Sequence, residues 1–256
     1  MAEERQVNYT IGETVELPSK GLIYSKKVNP QVELRSMTAR DEMKRQNPSS
    51  TQFKNLSEII EGCMIEKPAV HVYDMALGDY EFLLHKLRII TYGEEYKISV
   101  FCPHCGTRID TTAHLESLGV KEFDFDKFNA ARTLTLPRSN HVVTLNFQTP
   151  RMLDETEAKV KEMKRKYKSE DATFDLLLLL ESVIDTVDGE KMDGVKLETF
   201  INNLPALDMT KIVNTVDDLN AMIGIDNRLT VDCKKCGGEV DTSFRYGPEF
   251  FRPTNI

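Results

Sequence analysis

Two Cys-x-x-Cys-Gly hooks constrain this 256-residue chain more than any other feature of its sequence. They are Cys102-Pro103-His104-Cys105-Gly106 and Cys233-Lys234-Lys235-Cys236-Gly237. A two-residue spacer lets one tight turn present both sulfurs of a hook, and the glycine can take the positive φ of such a turn. Four thiolates satisfy a tetrahedral Zn²⁺ ion and leave no coordination position open for catalysis. The hooks therefore predict one structural Zn²⁺ ion, with the ligands Cys102, Cys105, Cys233 and Cys236.

Two other interpretations of these cysteines stay open. The hooks could be unrelated thiol pairs, or Cys-Pro-His-Cys could be a redox motif like that of strongly oxidising thioredoxin-like enzymes. Such a motif stands at a helix N-terminus, which lowers the pKa of the thiol. Here Cys105 is followed by a strand-like stretch and no βαβ pattern precedes it, so the sequence favours the metal. We expect His104 to be a solvent-facing spacer and not a further ligand.

The spacing between the hooks predicts the topology. Residues 106–232 separate them, which is far more than the spacing within a compact zinc ribbon. Alternating apolar and polar residues flank both hooks, so each hook should be the tip of a β-hairpin. We therefore predict an α+β fold with a split zinc ribbon, strands and helices before it, and a mostly α-helical insert. The expected domains are residues 1–125 with 226–256, and the inserted residues 126–225.

Hydrophobic periodicity places the remaining elements. Strands are predicted at residues 14–17, 31–34, 132–136 and 141–147, and helices at 52–65, 77–92, 153–171, 171–186, 194–203 and 208–223. Thr38 should cap a short polar helix. Cys63 should be a buried apolar residue, whereas His85 should lie at the surface or at its boundary.

Composition excludes several classes of protein. The formal net charge is -8, and an acidic chain is poorly suited to neutralising nucleic-acid phosphates. No apolar segment follows Met1 as in a secretory signal, and the longest apolar run, residues 176–180, is too short to span a membrane. With the metal-like spacing, these features predict reduced cysteines in a cytosolic setting. No nucleophile–base or phosphate-loop motif is present, so we expect no enzyme.

Two segments are candidates for contact with a partner. In the turn at residues 17–24, Pro18 and Gly21 fix the backbone, so that Ser19 and Lys20 could present a hydroxyl and a charge. Near the C-terminus, aromatic residues interspersed with prolines either pack back on the ribbon or anchor another subunit. The predicted partner-binding residues are Pro18, Lys20, Gly21, Tyr24, Phe250, Phe251 and Arg252.

Several short motifs, in this order, resemble those of one family. They are Leu17-Pro18-Ser19-Lys20-Gly21 with Tyr24, Leu34-Arg35-Ser36-Met37-Thr38 with Asp41-Glu42, Leu87-Arg88 with Tyr92-Gly93 and Tyr96, the first hook, and Phe250-Phe251-Arg252-Pro253. The chain resembles the baseplate hub assembly chaperone (baseplate hub subunit) family of T-even-like contractile-tailed bacteriophages. The motifs cover residues 14–110 and the last 25 residues, and the middle of the chain carries none of them.

The resemblance implies a virion or virion-assembly protein that works in the cytoplasm of the infected bacterium. Its partners would be other baseplate hub and tail proteins, it would catalyse no reaction, and the tail baseplate would hold it if it stays in the virion. The competing hypothesis is a zinc-ribbon protein that binds nucleic acid or acts in transcription. That protein would bind DNA or RNA in a salt-dependent way. The acidity of the chain favours the phage protein.

Overall fold

The computed structural model describes residues 12–47, 51–168, 173–244, 246 and 248–251. Arg252, one of the predicted partner-binding residues, lies outside the described residues. In chain order, the strands and helices are β1 (Gly12–Glu16), β2 (Gln31–Arg35), α1 (Ala39–Gln46), α2 (Gln52–Cys63), α3 (Leu77–Tyr92), β3 (Glu95–Phe101), β4 (Arg108–His114), α4 (Phe125–Ala131), β5 (Thr133–Thr135), β6 (Val142–Leu145), α5 (Pro150–Tyr167), α6 (Thr173–Val183), β7 (Ile184–Val187), α7 (Gly194–Asn202), α8 (Ala206–Ala221), β8 (Arg228–Asp232) and β9 (Glu239–Ser243). This mixture of helices and small sheets confirms the α+β class.

Helix α3 forms the centre of the first of two hydrophobic clusters. Its leucines pack against residues of the β1–β2 hairpin, of α2 and of the C-terminal aromatic segment. The helix is buried on nearly all sides, and Gly93 ends it with a φ of 84°. Cys63, at the end of α2, is fully buried in the same cluster, as expected.

The second cluster lies in the middle of the chain. It joins the antiparallel β5–β6–β7 sheet to helices α4, α6, α7 and α8. Phe123, which precedes the predicted boundary at residue 125, already packs in this cluster with Phe128. The division into two domains remains a prediction. None of the described helices is both long and apolar enough to cross a bilayer.

Two elements differ from those predicted. The helix expected over residues 171–186 ends at Val183, and the next four residues form β7, which pairs with β6. Isoleucine, threonine and valine favour strands, and β6 offers a free edge on which they can pair. Helix α4 also follows Asp124, where we had expected no element, because the Asp124 carboxylate accepts the Lys127 amide at 3.1 Å.

The placement of His85 is a further correction. We expected His85 at the surface or its boundary, but it is 2% exposed. Its Nε2 bonds the Leu115 carbonyl at 3.0 Å, and its ring stacks on Phe250. Residues off the apolar stripe of α3 are therefore buried as well, because the C-terminal segment and the turn at Leu115 cover that side of the helix.

Candidate metal centre

The two hooks are hairpin tips with the same local geometry. The first hook joins β3 to β4 and the second joins β8 to β9, both antiparallel. In each hook the backbone N–H and C=O groups of the first cysteine, Cys102 or Cys233, hydrogen-bond to residues that follow it in the chain. The distances are 2.8 to 2.9 Å. Gly106 and Gly237 have φ values of 67° and 72°, in the region that favours glycine. Each turn thereby directs two sulfurs to the same side of its tip.

The four sulfurs of the hooks converge. They all lie within 4.8 Å of one another, with 3.6 Å between Cys102 and Cys236 and 3.7 Å between Cys105 and Cys233. A tetrahedral zinc site with Zn–S bonds of about 2.3 Å needs sulfur–sulfur distances of about 3.8 Å. A disulfide bond would need about 2.05 Å. The four cysteines are thus close enough to hold one metal ion, and the residues present fit zinc.

The surroundings of the sulfurs are only partly apolar. Cys102 and Cys233 are 1% exposed and form a small cluster with Val240, whereas Cys105 is half-buried and Cys236 is exposed. So small a cluster contributes little hydrophobic stabilisation to the two tips. An ion bound by both hooks would therefore supply most of the cohesion there.

Hydrogen bonds shift the thiol pKa values in the site. The hydroxyl and backbone of Thr107 lower the pKa of Cys105 to about 6, and two amides of its own hook lower the pKa of Cys233. The Gly238 amide also lowers the pKa of Cys236, but the neighbouring sulfurs outweigh it and raise this pKa to about 12. Metals bind the thiolate form, so Cys105 and Cys233 are the better prepared ligands.

His104 is not among the residues whose ligand atoms converge. Its side chain is exposed, and its ring lies over Gly238, so close that an ideal Cβ there would be 2.7 Å from the ring. The structure thus places His104 at the surface of the tip, as the sequence predicted. A contact between the two hooks also forms here, because His104 belongs to the first and Gly238 follows the second.

The turn at residues 17–24 is held by a buried carboxylate that the sequence analysis missed. Asp79 accepts hydrogen bonds from the Ser19 amide at 2.9 Å, and from the Ser19 and Tyr24 hydroxyls at 2.5 Å each. Burial raises the pKa of Asp79. The expectation that Ser19 presents its hydroxyl to a partner is therefore wrong, because this side chain is fully buried.

The other predicted residues of this turn differ in exposure. Pro18 and Gly21 are buried, Tyr24 is half-buried, and Lys20 is exposed. At Gly21 an added Cβ would meet the Val28 carbonyl oxygen at 2.6 Å, which makes the turn a packed part of the fold. Of the four, only Lys20 is a side chain that a partner could reach freely.

The C-terminal aromatic residues are core residues in this structure. Phe250 and Phe251 are each 1% exposed, so the prediction that they form an accessible anchor needs correction. Arg88, itself fully buried, donates from Nε to the Phe250 carbonyl at 3.1 Å. It also donates to the Gly93 and Glu95 carbonyls at 2.7 and 3.3 Å.

Comparison with known proteins connects the chain with a viral structural family. The model of a family described as "T4 bacteriophage base plate protein" matches residues 10–252. The match covers nearly the whole chain, including both hooks and the segment between them. No curated protein and no solved structure matches the chain.

Proposed function

The chain belongs to the T4 bacteriophage base plate protein family, and from this we propose that it acts as a baseplate hub assembly or structural protein. It works by binding other hub and tail proteins. The observation that carries this proposal is the family match over residues 10–252, which includes the middle segment where short motifs gave no information. The protein acts in the cytoplasm of the infected bacterium during assembly, and in the tail baseplate if it is retained.

Structural zinc completes this proposal. The four hook sulfurs would hold the ion, and the ion would join the β3–β4 hairpin to the β8–β9 hairpin across more than a hundred residues of chain. The support is the sulfur geometry, with distances of 3.6 and 3.7 Å between sulfurs of different hooks. In zinc-finger peptides such binding is worth about 10–16 kcal/mol at neutral pH. The redox alternative is less favoured because the thiols stand at hairpin tips, not at a helix N-terminus.

We propose no catalytic turnover. A site with four thiolate ligands has no open position for substrate or water. The buried polar residues of α3 that could suggest chemistry are occupied by the fold, because Asp79 and Arg88 hydrogen-bond to the chain itself. Both residues therefore position segments of the protein.

The test of the proposed function is the identity of the bound proteins. Affinity-tagged protein is expressed during phage infection and isolated from a nuclease-treated lysate, and the bound proteins are identified by mass spectrometry against a tag-only control. We expect enrichment of baseplate hub and tail proteins. Enrichment of RNA polymerase, or of nucleic acid in an untreated sample, would support the competing hypothesis instead.

A further inference from the structure

A groove of about 720 Å³ runs between the two hairpins that carry the hooks. Every residue from Thr107 to His114 lines one side, and every residue from Leu229 to Lys235 lines the other. Successive side chains of a strand point to opposite faces. A groove that touches all of them is therefore lined by the edges of strands β4 and β8. In the described part of the chain these two strands are not hydrogen-bonded to each other.

The backbone of β4 offers free hydrogen-bonding groups to this groove. At one end of the hairpin the Cys102 amide donates to the Thr107 carbonyl, and at the other the Leu115 amide donates to the Glu94 carbonyl. Since bonded and non-bonded pairs alternate in an antiparallel ladder, the odd-numbered residues of β4 face β3. The residues whose N–H and C=O groups point away from β3 are Arg108, Asp110, Thr112 and His114.

The same argument applies to β8. The Cys233 amide donates to the Gly238 carbonyl and the Phe244 amide donates to the Asn227 carbonyl, which fixes the ladder at both ends. The backbone groups of Arg228, Thr230 and Asp232 therefore point away from β9. Both strands are thus edge strands that present unpaired backbone groups beside the groove. The exceptions are the His114 carbonyl, which accepts from the Ser117 hydroxyl at 2.6 Å, and the Arg228 amide, which donates to the Asp226 carboxylate at 3.3 Å.

The groove is closed at its two ends. The sulfur cluster lies at the tip of the hairpins, and at the base the chain after β4 pairs with the chain before β8. There the Lys121 amide donates to the Gly224 carbonyl at 2.9 Å and the Asp226 amide to the Gly119 carbonyl at 2.8 Å. Between these two ends the groove runs along the seven residues of β4, about 23 Å at the usual rise per residue.

Charge is uneven along the groove. Arg108 pairs with Asp110 at 2.9 Å. At the tip, Lys234 and Lys235 are exposed, and neither forms an ion pair with another described residue. Asp232 is the one acidic side chain beside them on the β8 side of the groove. Lys234 and Lys235 therefore offset the charge of about -2 that Zn²⁺ with four thiolates would carry at this tip, and their exposed ammonium groups stay accessible to a partner.

We propose that this groove binds an extended segment of another protein, which adds a β-strand to the edge of β4 and carries an acidic side chain toward Lys234 and Lys235. Backbone hydrogen bonds give such strand addition its affinity, and the side-chain contacts give its specificity. The half-buried apolar residues of the groove, among them Ile109, Leu229 and Val231, receive the alternate side chains of the segment. The assignment rests on the proposed function, because it identifies the surface by which the protein holds a baseplate partner.

The experiment uses 15-residue peptides that tile the baseplate proteins of the same phage, and the full-length baseplate proteins. Binding to the full chain is measured by fluorescence anisotropy. Thr112→Pro removes an outward N–H of β4 and is expected to weaken the binding of a positive peptide up to about tenfold, since the hydrogen bond of that N–H is lost. Ser99→Pro is the matched control, because the backbone N–H of Ser99 points away from β4 on the outer edge of the same hairpin. We expect it to bind within twofold of the wild type. Ser99→Ala accounts separately for the loss of the Ser99 hydroxyl, which bonds Arg108 and Asp110 of β4.

A second pair of variants avoids any change to the backbone. Lys234→Glu is expected to lower affinity about fivefold at low salt and less at high salt, as for an exposed ion pair. Lys211→Glu, on the exposed side of α8, makes the same charge change and should have no effect. Amide exchange of Asp110, Thr112 and His114 should slow when the positive peptide binds.

Three results would overturn the proposal. Equal binding by the wild type, Thr112→Pro and Lys234→Glu would remove the groove as the site and leave the proposed function intact. Binding of full-length baseplate proteins without any peptide would contradict recognition of an extended segment. If neither full-length proteins nor peptides bind the wild type, the proposed function fails together with the groove.

Discussion

At the scale of single residues, Arg88 is a buried charged residue that fixes the positions of three segments of the chain. Its guanidinium is fully buried, and its three acceptors are backbone carbonyls, at Gly93, Glu95 and Phe250. The rings of Tyr92 and Tyr96 lie 5.1 and 5.8 Å from it. One side chain thereby ties the end of α3, the start of β3 and the C-terminal segment together.

Replacing this guanidinium should loosen all three segments. Arg88→Lys keeps the charge but cannot reach three carbonyls at once, which leaves buried acceptors without donors. We expect the free energy of unfolding in urea to fall by about 2–4 kcal/mol. Arg40→Lys, at an exposed position of α1, should change it by less than about 0.5 kcal/mol. Equal effects of the two substitutions would contradict this role of Arg88.

His85 makes stability depend on pH. Burial lowers its pKa from 6.5 to about 4, with a partly opposing hydrogen bond to the Leu115 carbonyl. The imidazole of His85 therefore takes up a proton near pH 6.5 in the unfolded chain but stays neutral in the folded one. Its contribution to the free energy of unfolding is fully present above pH 6.5 and is lost as pH falls toward 4. Between pH 7 and pH 5 the loss should be about 2 kcal/mol.

The measurement compares urea unfolding of the wild type and of His85→Gln at pH 7 and pH 5. Glu81, whose pKa burial raises to about 7, acts in the opposite direction, because its folded form keeps a proton that the unfolded form loses. Both proteins contain Glu81, so its effect cancels in the difference. A difference between the two proteins that stays constant from pH 7 to pH 5 would show that His85 does not titrate as described.

At the scale of elements, contacts between residues close in the sequence could be predicted, whereas contacts between distant residues could not. Thr38 caps α1 in a reciprocal capping box with Asp41, as a side chain three residues away allows. Helix α3 has the predicted bounds, residues 77–92. By contrast, the Lys54 amide in the first turn of α2 donates to the Asp154 carboxylate of α5 at 2.9 Å, and these two residues are 100 positions apart. No periodicity in the sequence could indicate that contact.

The hairpin tips should lose their metal when one ligand is removed. We expect Cys102→Ser to release about one zinc per chain and to lower the melting temperature strongly, since the proposed ion would join both hairpins. Cys63→Ala removes a thiol that lies in the first hydrophobic cluster, outside the hooks. It should therefore keep the zinc, apart from a modest packing loss of about 1 kcal/mol. Zinc content is measured by atomic absorption, and retention of the ion by Cys102→Ser would contradict the ligand assignment.

At the scale of the whole molecule, the two hydrophobic clusters meet at Gly78. This residue lies in the first turn of α3, against the segment that follows α8, and an added Cβ would lie 2.5 Å from the Ile223 carbonyl oxygen and 2.9 Å from its Cβ. Gly224 packs on the other side, with a φ of 108°. The absence of a side chain at Gly78 therefore lets α3 and the segment that follows α8 approach.

Gly78→Ala should separate the two clusters. We expect a loss of about 1–3 kcal/mol in the free energy of unfolding, because backbone atoms must move to admit the methyl group. Gly62→Ala in α2 has no atom within 4 Å of the new methyl and should cost nothing, or stabilise slightly. Both are measured by urea unfolding. A larger loss at Gly62 than at Gly78 would contradict the described junction.

Much of the metal centre could be predicted from the sequence, whereas the binding groove could not. The sequence of the hooks indicates metal binding, because two Cys-x-x-Cys-Gly motifs with hairpin-like flanks have few other uses. The groove depends on β4 and β8 lying side by side, and its base is closed by contacts between residues 119–121 and 224–226, which are far apart in the sequence. The burial of Phe250 and Phe251 likewise depends on distant contacts, such as the hydrogen bond from Arg88 to the Phe250 carbonyl, 162 residues away.

The most direct test is the X-ray absorption spectrum of protein purified without added metal. One zinc per chain, with four sulfur neighbours at about 2.3 Å and no nitrogen or oxygen, is the predicted result. A chain that lacks stoichiometric metal, or a zinc ion with fewer than four sulfur ligands, would contradict a single ion held by Cys102, Cys105, Cys233 and Cys236.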